Sequence, residues 1–233
     1  MKYRQELKYI CTSEELNILE SRLRPLMELD RHLHKRSSYN IRSIYLDDYA
    51  ESCFWENEAG INERRKVRIR IYNASTETIN VEIKEKLNGM THKSICRIDE
   101  QMCRKIMQGE MISLSKICAN PAMNLMVLGM HDRMLMPKVI VEYDRKAFVS
   151  KTGNVRITFD QHIRASKRIH SFFNEDLYAL PVLEQGLHVL EVKYDELLPD
   201  YIAQAIEIGT LRRTAFSKYY LSRRKMEEYG YEL

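Results

Sequence analysis

Hydrophobic and polar residues alternate strictly in several short runs of this chain, and the clearest is Lys66-Val67-Arg68-Ile69-Arg70-Ile71-Tyr72. A strand turns successive side chains to opposite faces, so Lys66, Arg68, Arg70 and Tyr72 share one face and three β-branched residues share the other. The alternation recurs in Arg4 to Tyr9 (Arg4, Glu6 and Lys8 together), Val81 to Lys86 (Glu82, Lys84 and Lys86), Val155 to Asp160, and Val189 to Lys193 (Glu191 and Lys193). A single strand of this kind is an ordinary half-buried antiparallel strand with a solvated charged face. Five are harder to explain that way. Two like charges ~6 Å apart repel by about 3 kcal/mol at an effective dielectric of 20, so cations gathered on facing strands need anions to balance them. The combs either point to open water or surround a polyanion.

Between these strands the punctuation predicts the remaining elements. Thr12-Ser13-Glu14-Glu15 reads as a capping box, followed by Leu16, Leu19 and Leu23 at helical spacing until Pro25. A strand is expected over Ser43 to Asp48, then an aromatic-rich connection with Tyr49, Phe54 and Trp55. Three strands follow: Arg65 to Tyr72, Thr78 to Lys86 and Thr91 to Ile98. With turns at Asn73 to Glu77 and at Asn88-Gly89, they should form an antiparallel meander. Asp99 caps a helix to about Gln108, and the Met- and Leu-rich stretch Leu114 to Met130, split by Pro121, reads as two helical pieces whose methionines pack a core. Strands are expected again at Lys138 to Phe148, Asn154 to Asp160 (after a turn at Thr152-Gly153) and His188 to Tyr194, and helices at Pro199 to Ile208 and Ser217 to Tyr229.

The fold class is therefore α+β, with about eight strands in mostly sequential antiparallel order. Eight strands are enough to close a barrel around one small ligand. If charged side chains fill its interior, helices must cover the oily outside.

Length and composition narrow this further. The 233 residues, without a Gly/Ser/Pro-rich linker, read as one domain spanning 1–233. Thirty-seven basic residues against 33 acidic ones leave a net charge of only +4, so the positive charge has to be local to matter. Five cysteines without a CxxC pair, and no secretory leader, favour a reducing cytoplasm. The longest apolar-leaning segment, Ala122 to Met136, is broken by Asn124, His131, Asp132 and Arg133 and is too short to cross a bilayer.

No GxxxxGK[ST], GxGxxG or GxSxG motif is present, and with eight glycines in all, side chains rather than a backbone loop must bind any anion. No Cys/His spacing suggests zinc. His32 and His34, beside Lys35 and Arg36, read as a basic surface loop. Glu6, Glu82 and Glu191 lie among the cations, where each can be a salt-bridge partner or a ligand for Mg²⁺ or Mn²⁺, hard ions that favour carboxylate and phosphate oxygens. Glu191 is the best metal candidate.

Arg4-x-Glu6-x-Lys8-Tyr9, Ser43 to Asp47, Lys66 to Arg70, Glu82-Ile83-Lys84, Val189 to Tyr194 and Phe216-Ser217-Lys218-Tyr219, in this order over nearly the whole chain, resemble the VTC domain of the triphosphate tunnel metalloenzyme (CYTH-like) superfamily. The resemblance implies an eight-stranded antiparallel tunnel and a polyphosphate polymerase that transfers the γ-phosphate of ATP onto a growing chain. It implies Lys8, Arg68, Arg70, Lys84, Lys193 and Lys218 as catalytic cations, and Lys93, Tyr143, Arg145, Arg156 and Ser217 as substrate-binding residues. Glu191 would hold Mn²⁺ or Mg²⁺. Arg4 stands where the superfamily's ExExK signature begins with Glu, which fits the polymerase branch better than a hydrolase-type metal site. The inositol-phosphate-sensing SPX domain of the eukaryotic proteins is not expected, nor is a membrane span. A bacterial, cytoplasmic protein is implied instead, with export left to a separate membrane partner.

A triphosphatase on the same scaffold, with water as acceptor, needs the same tunnel and metal. A non-catalytic polyphosphate- or nucleic-acid-binding module would want aromatic stacking platforms among the basic strands; Tyr72 and Tyr143 are there, but Phe and Trp lie mostly elsewhere. Specific nucleic-acid binding is therefore not expected.

Overall fold

A computed structural model describes residues 4–33 and 37–230, without the His32 side chain; the basic run read at 32–36 falls largely outside the described residues. Among the described residues ten strands form one antiparallel sheet: β1 (Gln5–Thr12), β2 (Glu28–Leu29), β3 (Tyr39–Asp47), β4 (Arg64–Tyr72), β5 (Ser75–Leu87), β6 (Met90–Ile98), β7 (Met136–Ser150), β8 (Val155–Ser166), β9 (Leu180–Pro181) and β10 (Leu187–Tyr194). Six α-helices among the described residues accompany them: α1 (Ser13–Leu23), α2 (Ser52–Glu58), α3 (Glu100–Met107), α4 (Pro121–Asp132), α5 (Asp200–Ile206) and α6 (Lys218–Glu228). The eight long strands run β1-β10-β8-β7-β3-β4-β5-β6 across the sheet, with β2 added to β7 and β9 to β8. The two outer strands come back together through an antiparallel bridge between Arg4 and Thr91, whose backbones exchange hydrogen bonds of 3.2 and 3.3 Å. The sheet is curled round a concave, charged face.

The alternation read in the sequence sorts the two faces. On the convex side Val67, Ile69, Ile71, Ile79, Val81 and Ile83 pack with Cys103 and Ile106 of α3 and Met126 and Val127 of α4. Leu16, Leu19 and Leu23 of α1, held by the predicted Thr12/Glu15 capping box, join Phe148, Ile157, Phe159, Leu190 and Val192 with Ile202 of α5. Each such buried aliphatic side chain contributes about 1.5–3 kcal/mol, so the outer layer fixes the strands whose other faces carry the charges. A third cluster joins Tyr45, Val139, Val141 and Tyr143, on the charged side of β3 and β7, to Cys53 and Phe54 of α2 and Phe216, Tyr219 and Met226 at α6. The last two helices of that list close off part of the concave face.

Three local expectations are corrected. The aromatic connection after β3 contains α2, because buried Asp47 accepts hydrogen bonds from the Cys53 and Phe54 amides and organises that helix from outside it. The β4–β5 turn is only Asn73-Ala74, both at positive φ, since Tyr72 already pairs with Ser75. Strand β8 runs on from Asp160 to Ser166 past a bulge at His162 (φ 52), which shifts the side-chain alternation and hides the continuation.

Candidate active site

Strand register brings the basic residues into three linked clusters, each built round a carboxylate. The first centres on Glu191 of β10. Lys8 lies opposite it on β1. The Glu191 carboxylate accepts from Lys193 at 2.9 Å and from Lys218 at 2.8 Å, with Lys8 at 3.7 Å and Arg145 at 3.6 Å. Asp160, fully buried on β8, adds a two-pronged pair with Arg145 at 2.6 Å for each hydrogen bond and a contact of 2.6 Å to Lys218. Burial alone would raise the Glu191 carboxyl, but Lys193, Lys218, Lys8 and Arg145 outweigh it and hold the group ionised, well below the usual carboxylate range. Burial likewise favours neutral Lys218, yet Asp160 and Glu191 raise its pKa and keep it charged.

Glu6 anchors the second cluster, with Lys84 at 2.5 Å and Lys193 at 3.3 Å. Its carboxyl is also held low against the opposing effect of burial, by Lys8, Lys84 and Lys193. Glu82 anchors the third. It takes Arg68 at 2.6 Å, Arg70 at 3.5 Å and Lys93 at 3.2 Å. Arg68 also donates to the Tyr45 hydroxyl at 3.0 Å and Arg70 to the Tyr143 hydroxyl at 3.2 Å, so each hydroxyl accepts here and keeps its own proton as a donor. At the α6 end Ser217 caps the helix by accepting from the Tyr220 amide, and Lys8 donates to the Phe216 carbonyl at 2.8 Å. Arg156 lies at the margin, paired with Asp30 and donating to the Tyr39 hydroxyl.

Every residue named from the sequence as a site candidate therefore lies on this face or at its rim. The carboxylates Glu6, Glu82 and Glu191 are all engaged by cations. Asp160, Tyr45 and Asp30 were missed as site residues. Asp160 was visible as the third polar member of Arg156-Ile157-Thr158-Phe159-Asp160, and Tyr45 as the alternation partner of Ser43. Asp30 follows a two-residue strand that no periodicity announces.

The electrostatics are lopsided. At the centre of the face, among the described residues, Lys8, Lys66, Arg68, Arg70, Lys84, Lys93, Arg145, Arg156, Lys193 and Lys218 lie with Glu6, Asp30, Glu82, Asp160 and Glu191, ten cations to five carboxylates, and register adds Arg64 and Lys86 beyond Lys66 and Lys84. Burial pushes the Lys84 ammonium down to about 7, Glu6 notwithstanding, and burial pushes Lys93 down to about 8. A site that depresses its own lysines favours an incoming anion. A separate cavity of ≈ 420 Å³ on the outer side, between β1 and α5, is lined by residues such as Leu7, Tyr9, Leu198 and Ile208 and contains none of these cations.

A model of the VTC domain matches residues 3–227. The chain belongs to the VTC domain family. No curated protein matches it. Among solved structures, a candidate adenylate cyclase from Vibrio parahaemolyticus aligns with TM-score 0.51 and 12% identity over 94% of this chain and 97% of its own. A candidate adenylate cyclase from Bacillus halodurans aligns with TM-score 0.50 and 12% identity, covering 88% and 86%. A Pyrococcus horikoshii protein aligns with TM-score 0.50 and 15% identity, covering 96% and 99%. At these identities the neighbours show the fold alone, an antiparallel sheet of this curled kind with helices outside. Among the described residues of this VTC domain no helix is long and apolar enough to cross a membrane.

Proposed function

We propose that this VTC domain is a metal-dependent polyphosphate polymerase that transfers the γ-phosphate of ATP to the end of an inorganic polyphosphate chain. Family membership supports a polyphosphate- or triphosphate-related enzyme, and the excess of ten cations over five carboxylates on one concave face carries the finer reading. Each phosphate brings about one to two negative charges, so a triphosphate neutralises what the protein leaves uncompensated.

The chain's own residues act by positioning and charge stabilisation. Arg68 and Arg70, locked by Glu82, Tyr45 and Tyr143, offer fixed guanidinium forks to phosphate oxygens. Lys84, Lys93 and Lys193 neutralise neighbouring phosphates, while Tyr143 and Ser217 donate hydrogen bonds. Arg156 receives the chain at the rim. Lys8, Arg145 and Lys218, gathered round Glu191, stabilise charge on the transferred group. The acceptor is a terminal phosphate already ionised at neutral pH, so no strong general base is required.

Among the described residues no three His, Cys, Asp or Glu side chains converge as a ligand group. Glu191 is the carboxylate that would hold Mn²⁺ or Mg²⁺, which bind through one or two carboxylates with phosphate and water completing the shell; since both its oxygens accept from Lys193 and Lys218 here, the ion would enter with the phosphates, as these draw the ammonium groups away. When bound there, the ion would neutralise charge on the phosphate oxygens. An export partner in the membrane is part of the same proposal.

Incubation with γ-labelled ATP and Mn²⁺, followed by separation of products on a gel, tests it. Long labelled polymer is the expected result. Labelled orthophosphate alone would replace the polymerase with a tunnel triphosphatase, and tight tripolyphosphate binding without turnover would leave a binding module. Glu191→Gln should abolish metal-dependent turnover, lowering kcat at least about a hundredfold while leaving tripolyphosphate affinity within about tenfold; full activity in that variant would overturn the metal assignment.

A further inference from the structure

Lys66 differs from the other basic side chains of the concave face. Among the described residues it has no carboxylate partner; its ammonium donates to Ser217 Oγ at 2.6 Å and to Asn57 Oδ1 at 3.2 Å, both neutral. The other nine cations at the centre of the face each have a carboxylate partner, while Arg64, two residues back along β4, donates to the same Asn57 oxygen at 3.0 Å. In register Lys66 lies opposite Lys84, and Lys84 opposite Lys93, so three lysines stand side by side across β4, β5 and β6. Like charges placed directly opposite destabilise a ladder. Glu6 compensates Lys84 and Glu82 compensates Lys93, and no carboxylate does so for Lys66.

The groups facing Lys66 make the imbalance plain. Arg64 shares its strand, Lys84 is across on β5 and Lys8 is on β1. From α2 come Asn57 and Cys53, whose thiol burial pushes up and so keeps neutral. From the start of α6 comes Ser217. Asp47 and Glu56 are the acids nearby, acting on Cys53 and Arg64, but among the described residues neither pairs with Lys66, whose position is closed on one side by a hydroxyl with its own proton free to donate.

We infer that Lys66 is a further substrate-positioning residue, holding one phosphate group of the polyanion jointly with Ser217 at the α6 end of the concave face. The inference rests on the polyphosphate reading above and adds a property to it. In the empty site burial, then Lys8, Lys84 and Arg64, push the Lys66 ammonium down to about 7, so near neutral pH part of the population is uncharged. A phosphate oxygen arriving beside Nζ favours the ammonium again. Binding at this end therefore draws a proton from solvent onto Lys66, with no covalent bond made or broken. An arginine, which keeps its proton throughout, could bind the phosphate but could not take up the proton.

Calorimetric titration of inorganic tripolyphosphate at pH 7.5, in two buffers of different ionisation enthalpy, separates these roles. The wild-type protein should bind with net proton uptake. Lys66→Met should lose about tenfold in affinity, the size of one charge-assisted contact, together with part of the proton uptake. Lys66→Arg should stay within about threefold of wild-type affinity yet lose the same part of the uptake. Wild-type affinity and uptake in Lys66→Met would overturn the inference and leave the tunnel reading standing. Unchanged uptake in Lys66→Arg would overturn it even if the Met variant failed to fold. A wild-type protein that does not bind tripolyphosphate at all would overturn both.

Discussion

At the scale of single residues, the face depends on carboxylates that do not themselves touch an anion. Asp160 is completely buried, yet it takes both prongs of Arg145 and the ammonium of Lys218. Removing one partner of a buried ion pair leaves the other charges uncompensated, which typically costs about 3–5 kcal/mol. Asp160→Asn should therefore lower the unfolding free energy, read from the urea midpoint and slope, by an amount of that order. The solvent-exposed pair of Arg65 and Glu85 offers the contrast: Arg65→Gln should change stability by about 1 kcal/mol or less. Equal effects from the two substitutions would mean that Asp160 does not hold the cluster together. Burial decides the difference, and burial is what a sequence displays least directly. Arg145 sits in a long strand whose charged residues do not alternate cleanly, and its place came from family resemblance, whereas Arg68 and Arg70 were legible from pattern alone.

At the scale of elements, signals completed within a few residues are legible in the sequence and long-range ones are not. The Thr12/Glu15 capping box, the Asp99 cap of α3 and the Asn88-Gly89 hairpin form as expected, because each is complete within a few residues, and the split expected at Pro121 leaves a single 3-10 turn, Leu114–Lys116, before it and opens α4 at the proline itself. Helix α2 was missed because its amides are met by Asp47, several residues away on β3, and its first neighbour Glu51 adopts a left-handed conformation (φ 56). The same Asp47 accepts the hydroxyl of Tyr219, whose ring stacks on Tyr45 at 5.4 Å, so β3, α2 and α6 are tied at one buried carboxylate. This tie places Ser217 and Lys218. Tyr219→Phe should cost about 1–3 kcal/mol, since Asp47 loses one partner where water cannot replace it. It should also speed amide exchange in α6 more than in the distant β5 and β6. Uniform exchange throughout the sheet would show that the tie does not position α6.

For the whole molecule, the concentration of positive charge makes stability depend on pH in an unusual direction near neutrality. Lys66 and Lys84 are pushed down to about 7 in the folded, empty protein, mainly by burial, and Lys93 to about 8. In the unfolded chain these lysines titrate near their ordinary value of about 10.4. Between about pH 7 and 10 the unfolded chain therefore binds more protons than the folded one, and stability rises with pH. Two other sets of groups limit the window. The carboxyls of Glu6 and Glu191 are held low by lysines, so the stability they give is complete above about pH 4.5 and is lost only as the pH falls below it. Burial pushes the thiols of Cys11 and Cys103 up to about 12, and because they ionise in the unfolded chain near 8.5, they reduce stability above that pH. The lysines are thus isolated between about pH 7 and 8. There the melting temperature of the empty protein should rise with pH. A bound polyanion restores the lysine protons, so tripolyphosphate should stabilise most at the lower end and progressively less toward pH 8. Melting curves with and without tripolyphosphate at pH 7.0, 7.5 and 8.0 check both slopes. An increment from ligand that grows with pH would mean that the lysines are not partly neutral in the empty tunnel, and that the five uncompensated charges are present before any phosphate arrives.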